Sequence, residues 1–269
     1  MRIQTVVKRV GICSILALLV LTSKAGLAQN TSSKIALVGN IVPTLVDHTS
    51  NPSRAGDIVR KALDGYPVSI TATTQAWSGS GLRNGKFIGF IDHYSLNVER
   101  DAYLYSAPYL VLPLHIASRS EKAVDAVRLD KIYRTSLGIE NRFANTDELR
   151  SERSVRWART PDFVTNVKQL ADRRVDNIIA DKFMLDEFNK MLTSISKPEL
   201  FLSSKPIYEV EMRLAIKKDT PNAQAIIEKF NASLARLKEN GEYDGLIQPP
   251  STSVSMLDEA LYTEILRKW

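Results

Sequence analysis

The sequence predicts an α/β fold of two lobes, on three observations. From residue 34 onward, short apolar runs rich in β-branched residues alternate with stretches of helical periodicity. Such alternation indicates sheets covered by helices rather than a bundle or a sandwich. The alternation starts afresh near residue 131, and two extended segments, at 109–117 (YLVLPLHIA) and 208–219 (YEVEMRLAIKKD), stand at the junctions as crossings between the halves.

Taken in order, KIALVG (34–39) is an uninterrupted apolar run of strand length. SRAGDIVRKALDGYP follows, with Ile58, Val59, Ala62 and Leu63 on one helical face and Gly65-Tyr66-Pro67 as a stop. VSITAT and GKFIGFIDHYSL supply further strands. Between them, the Ser-Gly-Ser-Gly run at 78–81 reads as a flexible turn. In the second half, YRTSLGIE predicts a strand, and Asn145-Thr146-Asp147-Glu148 opens a helix with acidic residues in its first turn. SVRWAR is a short strand, PDFVTNVKQLADRR a helix opened by Pro161, VDNIIAD (175–181) a β-branched strand, and KFMLDEFNKMLTS a helix. PNAQAIIEKFNASLARLKENG carries one apolar stripe, Ile226, Ile227, Phe230, Leu234 and Leu237, between Pro221 and Gly241. The final VSMLDEALYTEILRKW is amphipathic, with Leu257, Leu261 and Ile265 four residues apart. It is expected to pack on its own lobe, lobe 1 as assigned below.

Length and composition bound the function. The chain has 269 residues, 44% of them hydrophobic, enough to bury a sizeable core. Its first 28 residues place Arg2, Lys8 and Arg9 before an apolar run from Val10 to Leu21 and small residues at Gly26 and Ala28. That order is the one of a secretory signal peptide, with cleavage expected after Ala28. Its removal takes four cations and no acid, so the formal charge falls from +6 to +2, little reason to expect nucleic acid or an anionic membrane as partner. The single cysteine, Cys13, lies within the leader and lacks a lipoprotein context. The expectation is a cysteine-free mature protein without a lipid anchor, suited to an oxidising periplasm.

Several chemistries lack their residues. His48, His93 and His115 are the only histidines, and no spacing among them suits a metal. No GxSxG, Walker A or GxGxxG stands at a strand-to-helix turn. Neither a cofactor nor a metal is called for, and no catalytic residue is assigned.

The motifs that remain are ordered. WSGSGLRNGKFIGFIDHYSLNVER is followed by YSAPY, then LADRRVDNIIADK, then LARLKENGEYDGLI. Together they resemble the amino-acid-type periplasmic solute-binding proteins of ABC importers, family 3, over roughly residues 33–247. The family pattern "GK.D....SIT.ER", with "S.PY" after it, maps onto Gly85-Lys86, Ser95 to Arg100, and Ser106, Pro108 and Tyr109.

The resemblance implies a type II periplasmic-binding-protein-like fold, with a ligand cleft between lobes that closes on two hinge crossings. Lobe 1 is expected at 33–108 plus 213–269, including a C-terminal extension at 248–269. Lobe 2 is expected at 113–207, with hinges near 109–112 and 208–212. Arg100 is implied as the partner of a ligand carboxylate and Asp181 as the partner of its ammonium. Physically the pair makes sense: a guanidinium meets a carboxylate with two parallel hydrogen bonds, and dividing the charges between lobes ties binding to closure. Trp77 falls where an aromatic stacks on the ligand, or is a core tryptophan. Ser95 and Asn97 stand at the strand end near the carboxylate, Asn97 replacing the family's threonine. His93 faces the same way as Ser95 by strand alternation, as pocket wall or packing. Arg142-Phe143 replaces the family's Gly-Thr before a helix, so Arg142 would suit an acidic ligand or is simply solvated. The implied partners are a polar amino acid or similar small solute and an inner-membrane ABC permease, with a monomer the family habit. Two alternatives remain: a cyclohexadienyl or arogenate dehydratase-like enzyme using His93, Asp92 or Asp181 as acid, and a solute-binding sensor.

Overall fold

The first strand is apolar on both sides. In β1 (Ile35–Asn40), the neighbours Leu37 and Val38 enter different core clusters, as a sheet covered on both faces requires. The computed structural model describes residues 34–47, 52–92, 100–132, 135–248 and 256–269. The expected leader, His48, and the segment holding His93, Ser95 and Asn97 lie outside the described residues.

β1 pairs in parallel with β2 (Val68–Thr73) and with β3 (Gly89–Phe90). β11 (Ala215–Lys217) runs antiparallel to β3 and to β4 (Tyr103–Tyr105), giving the order β2-β1-β3-β11-β4. α1 (Arg54–Ala62) and α7 (Ala223–Glu239) bring Ile58, Val59, Ile227 and Phe230 into one cluster. α2 (Gln75–Arg83) brings Leu82 into the other, with Phe87 and Phe90.

α2 contains the Ser-Gly-Ser-Gly run that the sequence assigns to a turn. The helix persists through its glycines because Phe87 needs the room. A Cβ on Gly81 would stand 2.3 Å from the Phe87 ring. Ser78 Oγ, meanwhile, donates to the Thr74 carbonyl one turn back.

The second half forms its own sheet, β10-β5-β8-β6-β7, with β9 (Phe201–Leu202) also on β5. Here β6 (Ser136–Glu140) lies parallel to β7 (Arg156–Thr160) and β8 (Asn177–Asp181), while β5 (Leu110–Ser118) is antiparallel to β8 and to β10 (Tyr208–Met212). Two short helices, α3 (Asn141–Ala144) and α4 (Asp147–Ser151), follow β6. α5 (Phe163–Ala171) and α6 (Lys182–Ser194) cover the sheet, each with an aspartate N-cap: Asp162 accepts from Thr165 N–H and Asp181 from Met184 N–H.

The two crossings are short and tied together. β4 passes to β5 through Ser106–Tyr109, and β10 passes to β11 through Arg213–Leu214. Ser106 N–H donates to the Leu214 carbonyl, Leu214 N–H to Ser106 Oγ, and Tyr109 N–H to the Met212 carbonyl, all within 3.0 Å. Of the expected hinge segments 109–112 and 208–212, Leu110, Val111 and Leu112 pair with Met212, Glu211 and Val210 in the second sheet. The YSAPY motif thus forms the first crossing. Its Tyr109 ring is fully buried against Phe230, and the Tyr109 carbonyl accepts from the Tyr243 hydroxyl of α8 (Glu242–Ile247).

The C-terminal extension departs from expectation. After α8 the description resumes at Met256, and α9 (Glu259–Arg267) packs on lobe 2, not on lobe 1. Tyr262 and Trp269 bracket Phe188 of α6 at 5.5 and 5.2 Å between ring centres. Lys168 of α5 pairs with Glu264, and Lys268 with Asp172. The buried stripe is Tyr262, Ile265 and Leu266, whereas Leu261 is 55% exposed, because the aromatic surface of α6 is the larger complement. Among the described residues no helix is long and apolar enough to cross a membrane.

Candidate functional site

Parallel strands deliver their carboxyl ends, and the loops after them, to one edge of a sheet, where α/β proteins usually place ligands. In this chain four such ends meet. A cavity of about 500 Å³ is lined by Asn40–Pro43 after β1 and Thr73–Ala76 after β2 from lobe 1. Glu140–Arg142 after β6 and Pro161–Phe163 after β7 line it from lobe 2.

The charged wall belongs to lobe 2. Glu140 closes the apolar strand SLGIE, and Arg142 folds back on it, donating from Nε and Nη2 to both carboxylate oxygens at 2.9 and 3.0 Å. The same Nη2 donates to Asp181 Oδ2 at 2.7 Å. The guanidinium lies over the Phe143 ring, 4.1 Å from its centre, a cation–π contact. One cation therefore serves two buried carboxylates. Burial pushes the Glu140 carboxyl above the ordinary glutamate value of 4.5; Arg142 opposes this, and the Asp181 and Asp162 charges add to it.

On the lobe 1 side, Asn40 N–H donates to the buried Asp92 carboxylate at 2.8 Å, and the Ser78 hydroxyl lies 3.0 Å from Asn40 Oδ1, its one proton shared between that oxygen and the Thr74 carbonyl. These bonds fix the end of β1 at the cavity. Trp77, two residues into α2, is 70% exposed beside the cavity residues Gln75 and Ala76. It is not the core tryptophan that one reading of the sequence allows. The segment Ile41-Val42-Pro43 forms part of the wall, with Ile41 exposed.

Arg100 occupies a second cavity, of about 710 Å³, together with Tyr105 and Arg213 of lobe 1, Asn145–Glu148 of lobe 2, and Tyr208–Glu211. Its side chain is 76% exposed and stands 3.7 Å from Asp147 of α4. A pair so wetted contributes little. Beside it, burial and a hydrogen bond to Glu148 push the Tyr208 hydroxyl up to about 12.

The structure thus brings Arg142, Phe143 and Asp181 together and places Arg100 elsewhere. Asp181 is fully buried, one oxygen capping α6 and the other on Arg142. Phe143 is likewise buried, supporting the guanidinium. The expectation that Arg142 suits an acidic ligand is corrected: its charge is already matched by two carboxylates, and it is neither solvated nor surplus. Of the residues considered as acids for dehydration, Asp92 and Asp181 are both buried and hydrogen-bonded. His115 lies in the core, its Nδ1 on the Ser203 carbonyl. Among the described residues no group of His, Cys, Asp and Glu is placed to hold a metal.

Sequence reasoning misses Glu140 and Asp162. The signal for both resembles that of Asp181: each is an acid at or just beyond the end of a strand, before a helix, as SLGIE-N and WARTPD show.

No protein-family model matches the chain, and no curated protein sequence does. Solved structures do. A mutant of ArgBP from T. maritima superposes with a TM-score of 0.57 at 19% identity, over 80% of this chain and 92% of the other. AbpA from Streptococcus pneumoniae, an amino acid ABC transporter substrate-binding protein bound to L-arginine, gives 0.61 at 13% identity, over 87% and 96%. The GluR0 ligand-binding core from Nostoc punctiforme, in complex with L-glutamate, gives 0.57 at 17% identity, over 79% and 96%. The chain therefore has the two-lobed type II periplasmic-binding-protein-like fold.

Proposed function

We propose that the protein captures a polar amino acid or a related small solute in the cleft between its lobes, in the periplasm, and hands it to an inner-membrane ABC permease. It acts as a monomeric binding protein and not as an enzyme. The observation that carries this reading is the convergence of four strand ends, two from each lobe, on one cavity with ionisable walls. The shared fold with amino-acid-binding structures supports it.

Charge supports the class of solute. The lobe 2 wall holds two carboxylates against one guanidinium, so it favours a cationic group such as an amino acid's ammonium. Arg100 lies in the second cavity, exposed and only loosely paired; in this reading it exchanges that partner for a ligand carboxylate as the lobes move. Ser95, Asn97 and His93 are the neighbours of that carboxylate in this reading. Residues 1–28 serve as the export leader.

Isothermal titration of ligand-stripped protein against a panel of amino acids tests the reading. At least one polar member should bind, and Arg100→Ala should weaken it by about 10- to 150-fold, the loss of one charge-assisted contact of about 1.5–3 kcal/mol. Silence across the panel, or an alanine variant that binds like its parent, would remove the proposal.

A further inference from the structure

Ile247 and Gln248 end α8 in lobe 1, and Met256 N–H reaches Glu187 of lobe 2. Beside Ile247 sits Arg54, the first residue of α1. It is buried at the lobe boundary. Within lobe 1 its Nε donates to the Ile247 carbonyl at 2.8 Å and its Nη1 to Thr44 Oγ1 at 3.0 Å. Across the boundary its guanidinium carbon lies 4.7 Å from the centre of the Phe183 ring, and its Nη2 lies 3.8 Å from Glu187 Oε1, both on α6. Thr44 reaches the same helix, its hydroxyl 3.9 Å from Met184 Sδ.

Glu187 is also buried and has its own lobe 2 partners. Lys190 Nζ donates to Oε1 at 3.1 Å, and Met256 N–H donates to Oε2 at 2.8 Å. Met256 is thereby fastened to the same carboxylate that faces Arg54.

We propose that Arg54 and Glu187 form a latch that sets the resting separation of the lobes. The case rests on how the partners divide. A buried ion pair is costly to break when breaking it strands a charge. Here each charge keeps its own hydrogen bonds on its own side: Arg54 to Ile247 and Thr44, Glu187 to Lys190 and Met256. The contact that crosses is the long one, 3.8 Å, reinforced by the Phe183 face. Such a contact opens without stranding either group and re-forms in one geometry. Burial lowers the Arg54 pKa against the pull of Glu187 and Asp181, in keeping with a guanidinium shielded from water.

The latch is tested on solute-free protein, so its failure leaves the binding reading standing. In a Cys13→Ser background, which removes the single cysteine, nitroxides on Lys86→Cys of lobe 1 and Arg153→Cys of lobe 2 report lobe separation by double electron–electron resonance. The parent should give one narrow distance. Glu187→Gln, whose amide oxygen still accepts from Met256, should add a longer population, and Arg54→Met should do the same. Lys190→Met, which touches only the lobe 2 side, should leave the distance unchanged. One narrow distance shared by the parent and the Glu187 and Arg54 variants would overturn the latch, as would a Lys190→Met spectrum equal to theirs. Circular dichroism confirms that each variant is folded before its distance is read.

Discussion

Two carboxylates around one guanidinium carry a net negative charge, and in the cleft wall that excess is buried. Glu140 bears the consequence, its carboxyl raised chiefly by burial and, against Arg142, by Asp181 and Asp162. A raised folded-state value means that the folded protein binds this proton more tightly than the unfolded chain does. Stability then falls as pH rises from the ordinary glutamate value of 4.5 through the raised one, because ionising the folded form is the harder step. Urea denaturation across that window should show this downward slope superimposed on the other titrations. Glu140→Gln, which keeps a carbonyl for Arg142 but has no proton to lose, should flatten it; a variant with the parent's slope would refute the assignment. The residue itself is hard to see in the sequence. Asp181 stands out because it ends a strand within a familiar run, whereas Glu140 ends an equally apolar strand beside an unfamiliar Asn-Arg-Phe. Only the folded chain shows that Arg142 bends back onto both.

Elements carry their own evidence when their periodicity is intact. The strand IALVGN, the stripe of α7 and the Pro-Asp opening of α5 are all legible in the sequence alone, since each depends on residues close along the chain. α2 is not, because glycine in a helix costs roughly 1 kcal/mol relative to alanine and Ser-Gly-Ser-Gly carries two of them. What overrides that penalty is tertiary: the Phe87 ring lies against Gly81, while a methyl carbon on Gly79 would meet only the tip of Arg83, at 3.3 Å. The two glycines should therefore respond with opposite signs. Gly79→Ala gains helix propensity and should stabilise by up to about 1 kcal/mol. Gly81→Ala forces a carbon to within 2.3 Å of a buried ring and should destabilise by about 1–3 kcal/mol. Thermal or urea denaturation of the pair decides it; equal effects would mean that Phe87 does not require the glycine. β3 is shorter than its apolar run suggests: among the described residues its ladder pairing with β1 and β11 involves Gly89 and Phe90.

At the scale of the whole molecule, an amphipathic pattern tells which face of a helix is apolar but not which surface will cover it. That is why the sequence points α9 to lobe 1 and the folded chain places it on lobe 2. The energetics of its docking follow from what it buries. Leu257, Tyr262, Ile265 and Leu266 are withdrawn from water, each contributing about 1.5–3 kcal/mol as an upper estimate. The ion pairs Lys168–Glu264 and Lys268–Asp172 join groups in contact with solvent and add little. Apolar contact with α5 and α6 should thus dominate, and its loss should be felt where the contact is made. Ending the chain after Gln248 should speed amide hydrogen exchange in α5 and α6, which lose Tyr262 and Trp269 from beside Phe188. Exchange in α7, buried against lobe 1, should keep its protection. Faster exchange spread evenly through α7 as well would show that the segment supports both lobes, and no change in α5 and α6 would show that it supports neither.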